Sequence, residues 1–373
     1  MEGEANLFYP YSFPELWNII QSYSTIEGKR LKLKFFDLSF RTAYAQAKEL
    51  ALAQGQIPLL TAGTLQTEKR ADRRFIYRYR YDASGKRVTE YLGPEDDAGT
   101  ATKVERANAE ISEAAILAGY SRDLRKVGFH STDNSALVTV AALFNAGIFG
   151  NGGILVGTRA FGAILNELGV ADTSFAMTED VDVARAQPIQ IAALPEGGLL
   201  KLLGETGLPF HEVPQLKRNE PPTSFKVRGK KLKVDLLVPA KGEPYKTVVV
   251  RELGAHATGL PHLKFLLEKT TQSVLLGRER IVPITVPHGG RFCVHKLAVY
   301  ALRGGSNPKS RKDVAQAALL AAAMSQDQEF MLLDAIDAMD RALRSKAKAG
   351  ARRAIGLLED DYPEAAGLLA ALA

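Results

Sequence analysis

The sequence predicts an α+β protein. A small mixed sheet is flanked by helices, with an N-terminal helical and hairpin region and a C-terminal helical bundle. Three observations lead there. A short apolar run, Ile154-Leu155-Val156, passes through Gly157-Thr158 into a helix-spaced segment that reaches Leu168. Stretches with a period of two recur at 75–91 and 224–238, each broken by a Gly-containing turn. Beyond Arg291 the pattern is helical throughout.

Composition sets the outer bounds. The chain of 373 residues is long enough for two or three domains, and 46% hydrophobic with 24% charged residues is ordinary for a globular protein. A net charge of +6 suits a polyanionic partner such as a nucleotide or RNA, without demanding one. The single cysteine, Cys293, rules out an internal disulfide and an all-cysteine zinc site, and predicts a reducing, cytoplasmic setting. No basic and then apolar leader opens the sequence. No stretch reaches the roughly 18–20 apolar residues of a membrane span. The expectation is a protein with no membrane association.

Taken in order, residues 1–60 read as helical after an aromatic, proline-broken start, with Pro14 opening a helix and Ser12 as its cap. Asp37 to Leu52 continues in helical spacing. Phe75 to Tyr81 alternates, Asp82 to Arg87 turns, and Val88 to Leu92 returns. Phe75, Tyr77, Tyr79 and Tyr81 share one face of this hairpin, and Ile76, Arg78 and Arg80 share the other. Arg74, Tyr77, Arg78, Tyr79, Arg80, Lys86 and Arg87 form a set that suits RNA, through phosphate contacts and base stacking. The plainer alternative packs the aromatics inward and leaves the arginines in solvent.

Residues 104–127 read as a charged helix and 135–149 as an apolar one. Gly150 to Gly153 is a turn into the strand at 154–156. The following helix stops at Gly169. Ala176 to Val183 reads as a strand, 197–209 as a short helix, and 224–228 with 232–238 as a second hairpin. Lys246 to Arg251 is a strand and Pro261 to Thr270 a short helix. Ile281 to Pro287 is extended, with prolines that assign it to a sheet edge. Helices follow at 291–302, 313–324, 327–343 and 352–358. The expected division is 1–130, 131–290 and 291–373.

The chemistry centres on acids. Asp180 and Asp182 sit two apart on a strand, so both carboxylates point the same way. Like charges this close call for a cation between them. Asp235 stands in an otherwise apolar strand, where an unpartnered acid is costly. Together the three could hold Mg2+, or Mn2+ in its place, as a two-metal site for phosphoryl or nucleotidyl transfer, with Asp235 also able to take a proton. Gly157 and Thr158, between a strand and a helix, offer backbone N–H groups and a hydroxyl to a triphosphate.

Val156-Gly157-Thr158, Asp180-Val181-Asp182 and Val234-Asp235-Leu236 resemble the motifs of nucleotidyltransferases with a DNA polymerase β-like core. More narrowly, the chain is similar to a bacterial family of nucleotidyltransferase-like proteins. Further matching stretches are Arg73 to Pro94, Val282 to Leu297 and Arg311-Lys312-Asp313. Thr158 stands where Ser or Gly is usual, and the gap from Gly157 to Asp180 is long. The resemblance implies transfer of an NMP from an NTP to a hydroxyl, with an RNA or tRNA end among the acceptors. It implies triphosphate contacts from Lys296, Arg311 and Lys312, although these could equally be a helix-packed lysine and a solvated helix start. The competing reading is a non-catalytic RNA- or partner-binding module on the same scaffold, a toxin–antitoxin or regulatory component.

Overall fold

The computed structural model describes residues 33–171, 180–190, 194, 196–215, 217, 219–304 and 307–373. The expected helix start at Ser12 and Pro14, and residues 176–179 of the expected acid-bearing strand, lie outside them.

The described chain opens with a short strand, β1 (Lys34–Phe35), and helix α1 (Leu38–Leu52). A three-stranded antiparallel sheet follows: β2 (Thr64–Arg70), β3 (Arg73–Tyr81) and β4 (Arg87–Pro94). The sequence reveals only the last two strands. Thr-Leu-Gln-Thr-Glu-Lys-Arg alternates no apolar residues, so β2 is held by its pairing with β3 and not by its own pattern. Helix α2 (Ala98–Lys126) begins where the Asp97 carboxylate accepts from the Thr100 N–H at 2.8 Å. It packs beneath this sheet.

The central part contains α3 (Asn134–Asn145), β5 (Gly153–Val156), α4 (Gly157–Leu168), β6 (Val170–Ala171), β7 (Val181–Arg185), α5 (Gly198–Gly204), β8 (Phe210–Glu212), β9 (Ser224–Val227), β10 (Lys233–Pro239), β11 (Thr247–Val250) and β12 (Ala255–Leu260). Gly169, in the left-handed region at φ 71°, ends α4. Seven of these strands form one mixed sheet in the order β11-β12-β10-β7-β5, with β9 and then β8 attached to β10. Strand β10 runs parallel to β7 and to β12 and antiparallel to β9. It alternates cleanly, with Val234, Leu236 and Val238 buried and Lys233, Asp235 and Leu237 partly open.

After α6 (Leu263–Leu267), β13 (Thr270–Leu276) and β14 (Ile281–Pro287) make a separate two-stranded ribbon. Pro283 and Pro287 do restrict β14 to a single partner, yet the strand is buried because α1 and α3 cover it. Strands β12 and β13 escape sequence reading. One holds Gly259 and His256, and the other opens on Thr-Thr-Gln-Ser.

The C-terminal helices are α7 (Gly289–Arg303), α8 (Pro308–Asp327), α9 (Glu329–Asp337), α10 (Arg341–Leu358) and α11 (Pro363–Ala370). The single helix expected over 327–343 is broken, because the Asp340 carboxylate accepts from the Leu343 N–H at 2.7 Å and starts a new helix. The expected boundary at 290/291 falls inside the first turn of α7. Buried residues on both sides of it, Val181 and Val234 with Leu297 and Leu320, belong to one hydrophobic core. The helical region is thereby fixed against the sheet, and a cleft is left between them.

Candidate active site

The parallel register of β7 and β10 sets Asp182 directly opposite Asp235. On its other side Asp182 is paired with Val156, the last residue of β5. The chain then turns at Gly157, which has φ +73° and begins α4. A Cβ at this position would lie 2.1 Å from Asp182 Oδ2. Only glycine lets the carboxylate rest against the backbone there. The N-terminal end of α4 in turn favours the negative charge.

Asp180 immediately precedes β7. Its carbonyl oxygen accepts from Arg159 Nε at 3.0 Å, and the same guanidinium donates to Asp133 Oδ2 at 2.9 Å. Arg159 is 2% exposed. It therefore ties the backbone beneath Asp180 to α4 and to the acid that caps α3.

Electrostatics follow from this crowding. Burial, then the charges of Asp235 and Asp180, push the Asp182 carboxyl up to about 7. Burial also raises Asp180, although Lys233 pulls against it. Lys233 Nζ lies 2.7 Å from Asp235 Oδ2, and Ser224 Oγ bonds to Asp235 Oδ1. Burial would lower the Lys233 ammonium, but the Asp235 charge and hydrogen bond outweigh it and leave it raised.

The opposite wall is basic. The buried Asp313 carboxylate receives Lys296 Nζ and an Arg303 N–H, both at 2.6 Å. Lys312 Nζ is 3.3 Å from Thr158 Oγ1, across from α4. Burial, then the neighbouring Lys296, push Lys312 down to about 8. The two walls enclose a cavity of about 390 Å³, to which Lys309 and His295 also contribute. Burial and then Lys296 push His295 down to about 3, so the imidazole is neutral. Leu237, Leu260, Leu263 and Tyr245 add apolar lining to the cavity.

Residues 135–340 match the family model described as Nucleotidyltransferase. The chain belongs to this nucleotidyltransferase family. A solved structure, an antigenic nucleotidyltransferase-like protein from Paracoccidioides brasiliensis, is similar at 14% identity over 64% of this chain and 92% of that one. The TM-score between them is 0.32. No curated protein matches the chain.

Within this nucleotidyltransferase, the sequence-derived residues Asp180, Asp182, Asp235, Gly157, Thr158, Lys296 and Lys312 line one cleft. Arg311 does not. It is exposed and outside the cleft lining, because its neighbour Lys312 takes the inward direction on α8 and successive helix residues point about 100° apart. Sequence reasoning misses Lys233, Lys309, His295 and Arg159. The first two carry a signal: Lys233 is two residues before Asp235 on one strand face, and Lys309 is three before Lys312 on one helix face. His295 and Lys296 are adjacent on α7 and point about 100° apart, yet the cleft is wide enough to include both. Arg159 carries no signal, since only the folded chain brings it to Asp180.

The three acids do not yet form a cage. Among the described residues, no group of three or more His, Cys, Asp or Glu side chains is placed to hold a metal ion. Asp235 is engaged by Lys233 and Ser224. Asp180 and Asp182 remain, and magnesium commonly takes one or two carboxylates and completes its shell with water and phosphate oxygens. Both line the cleft beside Gly157, and carboxylate oxygens are the hard donors that magnesium prefers, so the residues fit a divalent cation.

The RNA candidates divide between the two faces of the first sheet. Arg78 is 3% exposed and turned toward α2, donating to the Ala62 carbonyl and to Glu110 at 2.7 Å. Arg80 shares that inner face and donates to the Thr61 carbonyl. Arg78 is buried and Arg80 half-buried on this side. The plainer alternative, aromatics inward and arginines in solvent, is thus reversed for Arg78 and the tyrosines, because the inner face meets a polar, Glu-bearing side of α2. Tyr77, Tyr79 and Tyr91 occupy the outer face, where Arg70 lies over Tyr77 at 5.4 Å and Arg87 over Tyr79 at 4.8 Å. Arg74, Lys86 and Arg87 are exposed.

Proposed function

We propose that the protein transfers an NMP from an NTP to a hydroxyl and releases pyrophosphate, with a DNA polymerase β-like arrangement of its core. The observation that carries this is the facing of two walls: acids on β7 and β10 at the N-terminus of α4, lysines on α7 and α8 opposite.

The triphosphate lies along α4, touching the Thr158 hydroxyl and the N–H groups of the first turn, with Lys296, Lys309 and Lys312 on its other side. The base lies on the apolar lining, against Tyr245 and Leu260. Asp180 and Asp182 hold Mg2+, or Mn2+ in its place. When bound, the cation neutralises phosphate charge and lowers the barrier to attack at phosphorus. Asp235 faces the acceptor. The acceptor oxygen bonds to the α-phosphorus as the bond to pyrophosphate breaks, and Asp235 takes the hydroxyl proton. Lys312 stabilises the leaving pyrophosphate.

An RNA end is the favoured acceptor. Support comes from the outer face of the first sheet, where tyrosine rings alternate with arginine. The direct test is pyrophosphate release from each labelled NTP with magnesium, using RNA, small-molecule and protein acceptors in turn. Release and label transfer that vanish in Asp182→Ala fit the proposal. Absence of transfer from every NTP to every acceptor overturns it, and leaves a binding module.

A further inference from the structure

A second cavity, of about 730 Å³, opens between the loop at 53–64, β3, α2 and the β13–β14 turn. It shares no lining residue with the nucleotidyltransferase cleft. Its floor holds two guanidinium groups that the fold has placed together. Arg280, 8% exposed, donates to the carbonyls of Leu59 and Leu60, at 3.3 and 3.4 Å. Half-buried Arg80 has its Nε on the Thr61 carbonyl. Neither is in an ion pair among the described residues. The inner acid that could serve them, Glu110, is taken by Arg78 at 2.7 Å and by Arg106 at 3.2 Å. Glu113 and Glu279 are at the rim and exposed.

Two partly desolvated cations side by side are costly unless an anion joins them. Burial lowers Arg280, the Glu279 charge offsets part of this and Arg80 adds to it; burial lowers Arg80, Arg78 adds to it, and Glu90 and Glu110 offset part, yet both stay lowered. A guanidinium fork matches phosphate oxygens in pairs. Leu60, Ile111 and Leu117 add apolar lining beside polar Gln54, Gln56 and Thr64, and Tyr81, 46% exposed, also lines the cavity. The volume falls in the range of small-ligand sites, about 300–1,000 Å³.

We propose that this cavity is a second ligand site, binding a small phosphate-bearing molecule with a flat apolar body, the size of a nucleoside monophosphate. The phosphate would bridge Arg80 and Arg280, and the flat body would lie along Leu60 and Tyr81.

Calorimetric titration of the full chain in EDTA, with AMP and with inorganic pyrophosphate as probes, tests this. Three variants separate the two sites: Arg80→Gln and Tyr81→Ala in the second cavity, Lys312→Met in the cleft. Thermal melts establish that each is folded. The proposal expects AMP to bind wild type, to bind Arg80→Gln at least tenfold more weakly, and to bind Lys312→Met unchanged. Tyr81→Ala should weaken AMP but not pyrophosphate, and this decides the matter if Arg80→Gln does not fold. AMP binding that survives both cavity variants, that is lost with Lys312→Met instead, or that is absent from wild type overturns the proposal. Loss of NTP transfer in the Asp182 variant leaves this result untouched, so the two readings fail separately.

Discussion

Replacing Asp182 by asparagine should make the metal-free protein more stable at neutral and alkaline pH while ending its activity. The carboxyl is pushed up to about 7 in the folded protein. An unfolded aspartate titrates near 3.9, so the gap is about 3 units, and at about 1.36 kcal/mol per unit the ceiling is about 4 kcal/mol. Relaxation and water entry should reduce this to about 1–3 kcal/mol. The sign follows from which state binds the proton. Between about pH 4 and 7 the folded state keeps a proton that the unfolded chain has released, so stability falls as pH rises through that window and is level above it. The neutral amide of the Asp182→Asn variant carries no such cost. Thermal melts in EDTA from pH 4 to 9 should show wild type losing stability toward pH 7 more than Asp182→Asn does. At pH 8 the variant should melt about 2–6 °C higher, at about 2 °C per kcal/mol for a chain of this length. Adding Mg2+ should raise the wild-type melting temperature and leave the variant where it was. A variant less stable than wild type at pH 8 in EDTA would refute the reasoning, because Asp182 would then be satisfied and not strained.

Gly157→Ala should cost about 1–3 kcal/mol of stability, from the left-handed backbone and the clash with Asp182, and should weaken NTP binding at least tenfold by calorimetry. Lys312, lowered to about 8, is protonated below that pH and loses its charge above it, so kcat/KM for NTP should decline through about pH 8. In Lys312→Arg the decline should vanish from the profile. On the first sheet, Arg87→Ala should weaken RNA binding and reduce the salt slope by about 1, measured by filter binding. Arg78→Ala should leave the salt slope unchanged and instead lower the melting temperature, having lost a buried pair with Glu110.

The acids and the Gly-Thr turn are legible because each carries a local signature, whereas Lys296 and Lys312 come only from the family resemblance. Asp235 is polar in an apolar strand, and Gly157 closes an apolar run before a helix. What joins them is not local. The pairing of Asp182 with Asp235 is a register between strands 53 residues apart, from 235 − 182, and no sequence pattern specifies it. The sheet as a whole is less legible than its best strand. Strand β10 announces itself by its alternation, whereas β12 and β13 carry Gly, His, Ser and Gln and depend on neighbours for their pairing. The first hairpin shows the limit most sharply. Its alternation locates both faces, but which face turns inward depends on Glu110 of α2, a residue 32 positions from Arg78.

Lys233 gives the cleft a property of a different kind. The strand that delivers Asp235 also delivers that acid's counterion, two residues earlier and 2.7 Å away. Assembly of the acid-bearing sheet therefore need not wait for a metal, unlike a zinc finger, whose folding is its metal binding. Chelation should abolish turnover and leave the melt cooperative. Such a protein could stand folded and idle, ready to take its cation together with the nucleotide that carries it.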